Sequence, residues 1–500
     1  MLGFFVIFAI LGLVLFYELY WKRKDLPPGP LPLPLIGNLI QIFYYGLDKC
    51  FLQFQKDFGD FHTIWFGSTP VLSINDVPTI YETMVKDADA YAGREDNPKA
   101  MDVIKGGYAG IVFTDGPLWK EQRRFAIKVL KEFGLGRNLM QERVLDEVSH
   151  FIKDIKGEIE AGNKEIDFQN TLELAVGSII NAILLGYRFG KEKSEEFYTI
   201  KKYVSTFIHD LGDPLWKLME YHPEIYRNIP LFNTVYQKLK RNSNNLASFL
   251  YAQIDEHEKT IDFHSNSEAT DYVEAYLRKQ RELEKEGNKD HYYSRLQLYG
   301  GLQDMWVAGQ ETSAKMLTWL SLYLTAFPEI QEKLHKELDE QIGGSRLITL
   351  DDKNNLHYTN AVILETQRHC NLGAFNLIRR TLKPVEIHGY KLPVNTLITY
   401  ASHTVNYDDR YFPNARKFDP ERFIDENGKF YTRPEVMPFG LGRRACLGEG
   451  LARIELFLFT ANIFNQFRLK QVPGKPVSLE RIIGALASSK PFVVEIESRF

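Results

Sequence analysis

The chain has 500 residues, 44% hydrophobic and 13% aromatic, which is material for a large core, and its 25% charged content is ordinary for a globular protein. A net charge of −4 singles out no class of partner and gives no ground for a nucleic-acid one. Three cysteines, Cys50, Cys370 and Cys446, are too few and too scattered for a disulfide framework, so the bulk of the chain is expected to face a reducing compartment.

Met1 to Tyr17 carry no charged side chain, and the run continues through Glu18, Leu19, Tyr20 and Trp21 to the cluster Lys22-Arg23-Lys24. About 20 residues of helix cross a bilayer core. A cleaved signal would want positive charge before the apolar run and a small-residue site after it, and neither is present. The charges follow the run, which by the positive-inside rule puts the bulk of the chain in the cytosol. Residues 1–21 are therefore expected to be a single transmembrane anchor. Residues 22–37 read as a basic stop-transfer followed by the proline-rich hinge Pro27-Pro28-Gly29-Pro30-Leu31-Pro32-Leu33-Pro34. Proline fixes φ and removes amide donors, so this hinge is expected to join neither helix nor sheet and to hold the body off the membrane as a stiff spacer.

Residues 38–500 show no repeat and no flexible linker, and read as one domain. Helical periodicity runs over Val144–Gly162, Leu172–Leu185, Val235–Glu258 and Leu296–Phe327. Strand-like runs are short, at Phe61–Phe66, Val71–Ile74, Leu397–Tyr400 and Phe492–Ile496. The fold class is mainly α with small β-sheets. The charged stretch Asp255–Asp290 reads as a solvated connection.

Near the C-terminus, Phe439-Gly440-Leu441-Gly442-Arg443-Arg444-Ala445-Cys446-Leu447-Gly448 holds one cysteine in a glycine-rich loop ahead of an apolar helix starting at Glu449. Gly442 and Gly448 suit a close approach of backbone to a bulky planar ligand. Amide donors, the helix N-terminus and nearby Arg444 would all favour a thiolate. The twelve histidines show no His-Glu-x-x-His and the cysteines no paired spacing, which argues against zinc.

Phe-x-x-Gly-x-Arg-x-Cys-x-Gly resembles the haem-binding signature of the cytochrome P-450 family. The resemblance implies the P-450 fold, haem (iron protoporphyrin IX) with Cys446 as axial thiolate, and a monooxygenase. Other segments agree with it. Ala308-Gly309-Gln310-Glu311-Thr312-Ser313 is similar to the family's oxygen-binding motif, departing at Ser313. On its own chemistry, Gly309 would let the helix open beside a ligand and Thr312 can bond back to the preceding turn. By the resemblance, Thr312 positions water and Glu311 helps deliver protons. Glu365 and Arg368, spaced i and i+3, are expected to pair and to be joined by Arg422 of Pro420-Glu421-Arg422-Phe423.

A helix opened by Pro117 carries Trp119 and Arg123 on one face and Lys120, Arg124, Lys128 and Lys131 on another. The resemblance makes Trp119, Arg123 and Arg444 anchors for the haem propionates, with Arg94 and Arg379 as further candidates. It makes the basic face a landing site for an NADPH-dependent P-450 reductase, with cytochrome b5 as a second donor. Substrate contacts are expected from Met101–Phe113, Phe207–Met219, the oxygen-binding helix, Leu372–Leu377 and Ile482–Leu486, and Pro214-Leu215-Trp216 is expected to touch the bilayer. The nearest resemblance is to microsomal animal members, which implies the endoplasmic reticulum, a cytosolic catalytic domain and a lipophilic substrate (fatty acid, steroid or xenobiotic) oxidised with O₂. Two alternatives stay open: a relative that rearranges peroxides without O₂, and a non-catalytic haem carrier or sensor.

Overall fold

The computed structural model describes residues 2–500 except 135–137, 164, 266, 345 and 483. Helices dominate. The longest, Arg295–Ala326, is buried along most of its length and packs against Phe168–Leu185, Pro230–Thr260, His357–Cys370 and Glu449–Gln466. Ser294 caps it by accepting from Gln297 N–H, and the chain leaves it at Phe327, just before Pro328. This central helix and the cysteine helix, Glu449–Gln466, share one apolar core with the helices around them.

The main sheet has four strands in the order Phe61–Phe66, Thr69–Ile74, Leu397–Tyr400, Arg379–Arg380. Its middle pair is parallel, with Val71 opposite Leu397, and the other two are antiparallel. Through this sheet residues 379–380 come beside segment 93–94, since Arg380 N–H donates to Gly93 O. A second, three-stranded sheet joins Glu165–Ile166, Val494–Ser498 and Phe467–Gln471.

Three expectations need correction. The proline-rich hinge does not stand free. Thr63 N–H and Oγ1 donate to the carbonyls of Pro28 and Pro27, and Gly37 bridges to Phe66. A Cβ on Gly29 would lie 2.0 Å from Thr63 O, so the missing side chain is what lets the segment lie along the sheet edge. Within 255–290 the helix Tyr272–Lys285 forms, capped by Asp271, with Tyr272, Val273, Tyr276 and Leu277 buried. Its apolar stripe was hidden among charged neighbours that face solvent. Trp216 is fully buried, packed with Met101, Ile104 and Phe207, and cannot meet a bilayer. The exposed apolar side chains lie elsewhere, at Ile40, Phe43, Tyr44 and Tyr45 and at Ile225, Ile229 and Leu231.

At the N-terminus the helix Leu2–Phe16 continues into a π-helical turn, Tyr17–Trp21. Among the described residues, the one helix long and apolar enough to cross a membrane is Phe168–Leu185, and with 72% of it buried it is a core helix.

Candidate active site

Cys446 follows a tight 3₁₀ turn, Gly442–Arg444, and precedes the helix Glu449–Gln466. Its own N–H donates to Phe439 O at 2.7 Å, closing the loop. The side chain is accessible, yet burial is the largest influence on the thiol and raises its pKa. Together these describe a sulfur that faces an internal space instead of open water. The amides of Gly448 and Glu449 and the Arg123 guanidinium oppose the shift. Arg123, and not Arg444, is therefore the cation at the sulfur. Arg444 turns away, its Nε donating to Ala92 O and its Nη2 to Thr114 O, with its guanidinium 3.6 Å over the Trp119 ring. A thiol held up by burial becomes a thiolate when a metal ion supplies the missing charge.

Gly442 also has a different task from the one expected. At φ +68° its missing Cβ would lie 1.8 Å from Met84 O, so it seats the loop on segment 84–88. Gly448 meets nothing within 4 Å. Phe439 lies under Arg453, 4.8 Å from ring to guanidinium.

Four arginines converge beside this loop. Arg94 spends its guanidinium on the carbonyls of Val112, Leu377 and Ile378. Arg123 donates to Ala445 O at 2.7 Å. Arg379 is wholly buried and reaches Leu441 O through Nη2, leaving Nε and Nη1 without a partner, and Arg444 keeps Nη1 unpartnered as well. Arg380 points elsewhere and pairs with Asp115 at 2.5 Å. Burial lowers the pKa of all four, and for Arg444 it falls to about 9. The cations are thus crowded and short of acceptors, the complement of a dianionic ligand lying against Cys446. Tyr400, whose buried hydroxyl lies by the Leu441 amide, joins the cluster beside Arg379 and Arg94. No local motif pointed to it.

On the central helix, exposed Ala308 and partly exposed Thr312 form an accessible strip one turn long on a mostly buried element. Thr312 Oγ1 donates to Ala308 O at 2.7 Å, the back-bond the sequence suggested. The helix does not open at Gly309, which instead packs on Phe168–Leu185: a Cβ there would lie 2.8 Å from Ile180 Cδ1. Glu311 is buried and faces the helix Ser194–Leu211. It accepts from Ser205 Oγ at 2.9 Å and pairs with Lys315 at 2.8 Å, with Lys201 near and itself contacting Glu173. Lys315 was legible as an i,i+4 partner; Ser205 and Lys201 come from distant sequence and were not.

A cytochrome P-450 family model matches residues 27–496. The chain belongs to the cytochrome P-450 family. Among its relatives, cytochrome P-450 2C20 of Macaca fascicularis is 33% identical over 472 residues, 94% of each chain. Cytochrome P-450 2B19 of Mus musculus is 33% identical over 464 residues, 91% of this chain and 89% of its own. Cytochrome P-450 2C8 of Homo sapiens is 31% identical over 472 residues, 94% of each. Family membership makes this P-450 a haem-dependent oxygenase with a cysteine thiolate as axial ligand, and the accessible sulfur and unsatisfied guanidinium N–H groups fit that cofactor. It also implies a redox partner, O₂ and a lipophilic substrate.

The buried network that the spacing suggested is present in this P-450. Arg368 binds Glu365 twice, at 2.6 and 2.7 Å, with both side chains fully buried, and Arg422 Nε lies 3.6 Å from the same carboxylate. Arg368 also donates to Asn406 O and Ala415 O. On the helix Gly116–Glu132, Lys120, Arg124, Lys128 and Lys131 are exposed while Trp119 is buried. Of the expected substrate segments, Met101, Val103 and Ile104 cluster with Phe207 and Met219, and in 482–486 residue 483 lies outside the described residues.

Proposed function

We propose that this P-450 inserts one atom of O₂ into a lipophilic substrate (a fatty acid, steroid or xenobiotic) and releases the other as water. Its electrons come from NADPH through a membrane-bound reductase, with cytochrome b5 as a second donor. The chain sits in the endoplasmic reticulum membrane by residues 1–21, with the catalytic domain in the cytosol. The observation that carries the oxygenase reading is the adjacent pair Glu311 and Thr312, with the hydroxyl on the accessible strip and the acid in a charge cluster behind it.

Bound haem supplies O₂ activation and O–O cleavage, which a thiolate ligand promotes. Cys446 would hold the iron, and Arg379, Arg444, Arg123, Trp119 and Arg94 would serve the propionates, the first two through N–H groups that have no other partner and Arg94 only by exchanging one of its carbonyl acceptors. Thr312, released from Ala308 O, would hold a water at its Oγ1 on the accessible strip. Glu311 exchanges a proton with that water only when its carboxylate leaves Ser205 or Lys315.

The test is incubation of membranes with reductase, NADPH and labelled O₂ against fatty acids, steroids and drug-like molecules. Label in one product supports the proposal. Turnover of a peroxide with no label in any product overturns it. Cys446→Ser should abolish the red-shifted Soret band of the reduced carbon monoxide complex, and its survival would remove Cys446 as ligand.

A further inference from the structure

Two turns beyond Thr312, and on the same face of the central helix, stands Trp319, about 10 Å along the axis. It is fully buried, and its indole N–H donates to Ala487 O at 3.2 Å. Its ring stacks on Tyr323 with centroids 5.6 Å apart. Tyr323, also buried, stacks on Phe418 at 4.4 Å and meets His369 edge-on at 5.2 Å. From His369 the next ring, Tyr407, is 5.8 Å away. His369 and Tyr407 are both partly exposed, so this row of rings starts on the central helix and ends at the surface.

The hydrogen bonds along the row are directional. His369 Nε2 lies 2.9 Å from Arg416 O, and a carbonyl only accepts, so Nε2 carries the proton. Burial, together with the charges of Arg368, Arg481 and Arg422, lowers the imidazole pKa to about 4, which keeps it neutral at cytosolic pH. Nδ1 is then a free lone pair, and Tyr323 Oη donates to it at 2.8 Å. A phenol gives up an electron far more readily when its proton can move at once to a base. Stacking alone requires no such base, and a phenylalanine would pack as well.

We infer that Trp319, Tyr323, His369 and Tyr407 form a relay that carries an oxidising equivalent from the catalytic cavity to the surface, so that unproductive turnover does not destroy the cofactor. The inference rests on the oxygenase reading. Hydrogen peroxide, the by-product of uncoupled turnover, breaks its O–O bond in the cavity and takes up two electrons and two protons to give two waters. Trp319 supplies an electron. Tyr323 refills the indole with its own electron while its phenolic proton passes to His369 Nδ1. Electrons pass along the row one at a time, so two passages reduce one peroxide. At the Tyr407 end two cytosolic thiols each give up one electron and leave as thiyl radicals, and the two protons they release match the two the peroxide takes up. After each passage the proton on Nδ1 returns to Tyr323 Oη.

The haem-loaded full chain would be mixed with hydrogen peroxide, freeze-quenched and examined by electron paramagnetic resonance, with bleaching of the Soret band followed in parallel. Wild type should give a tyrosyl radical. Tyr323→Phe, which keeps the stacking, should lose that signal or leave an indolyl one, and should bleach faster. The same radical and the same bleaching rate in both would overturn the relay. If Tyr323→Phe does not fold, peptide mapping of peroxide-treated wild type decides: oxidation concentrated at Trp319, Tyr323 and Tyr407 supports the relay, and oxidation no greater than at the stacked pair Tyr251 and Tyr299 overturns it. Failure of wild type to show the red-shifted carbon monoxide band would sink the oxygenase reading and the relay with it.

Discussion

Arg368→Met tests whether the Glu365–Arg368 network is as costly to break as its burial implies. The substitution removes two charge-assisted bonds to Glu365, at 2.6 and 2.7 Å, and leaves the carbonyls of Asn406 and Ala415 without their donor. Glu365 would retain Asp419 N–H at 2.8 Å and Arg422 at 3.6 Å, too little for a carboxylate with no exposed surface. Removing one partner of a buried pair costs about 3–5 kcal/mol. At 1.4 kcal/mol per decade, that is roughly a 140-fold to 3,700-fold shift in the folding equilibrium. Lys333–Glu421 is the control, a pair of similar length at 2.7 Å but 59% and 48% exposed, where about 0–1 kcal/mol is at stake. Urea titrations of haem-loaded wild type, Arg368→Met and Lys333→Met, read by the Soret band and tryptophan fluorescence, make the comparison. Replacing Glu365 and Arg368 together by leucine and methionine should recover part of the loss, because no carboxylate then stays buried without its partner, while Arg422, deprived of its 3.6 Å contact to Glu365, keeps the carbonyls of Pro413 and Asn414. Equal midpoints for the two single variants would refute the reasoning.

Glu455, wholly buried on the cysteine helix and bonded to Ser313, has its pKa raised from 4.5 to about 8, chiefly by burial. The native state therefore keeps a proton that the unfolded chain releases, and stability should fall as pH rises from about 4.5 to 8, by up to about 4–5 kcal/mol. Glu455→Gln should flatten that part of a stability-against-pH curve, and an unchanged slope would contradict it. Gly442→Ala must accommodate a Cβ 1.8 Å from Met84 O at φ +68° and should lower the haem incorporated per protein relative to wild type, read from the carbon monoxide band. Equal incorporation in variant and wild type would show that the loop does not need its seat on Met84. The double charge reversal Lys120→Glu with Lys128→Glu should raise the KM for the reductase at low salt, and unchanged reduction kinetics would dispose of the basic face as its landing site.

What could be read from the chain alone was whatever is local. The cysteine loop, the Glu311-Thr312 pair, Glu365 with Arg368 and the two faces of residues 117–131 all depend on spacings of a few residues, and helical geometry turns such spacings into neighbours. The long helices and three of the four strands of the main sheet followed from periodicity for the same reason, while the two-residue strand Arg379–Arg380 carries no periodic signal. The tertiary structure decided everything that needed a partner from far away. It set Arg123 beside the sulfur and sent Arg444 to Trp119 and Thr114, left Arg379 with unsatisfied N–H groups while Arg380 found Asp115, and added Tyr400 to the cluster. It also gave Gly309 and Gly442 to packing against Ile180 and Met84, and laid the proline-rich segment along the sheet edge. A glycine in a sequence announces only that a Cβ is missing. What occupies the space, a ligand or another stretch of the same chain, is settled by which segments the core brings together.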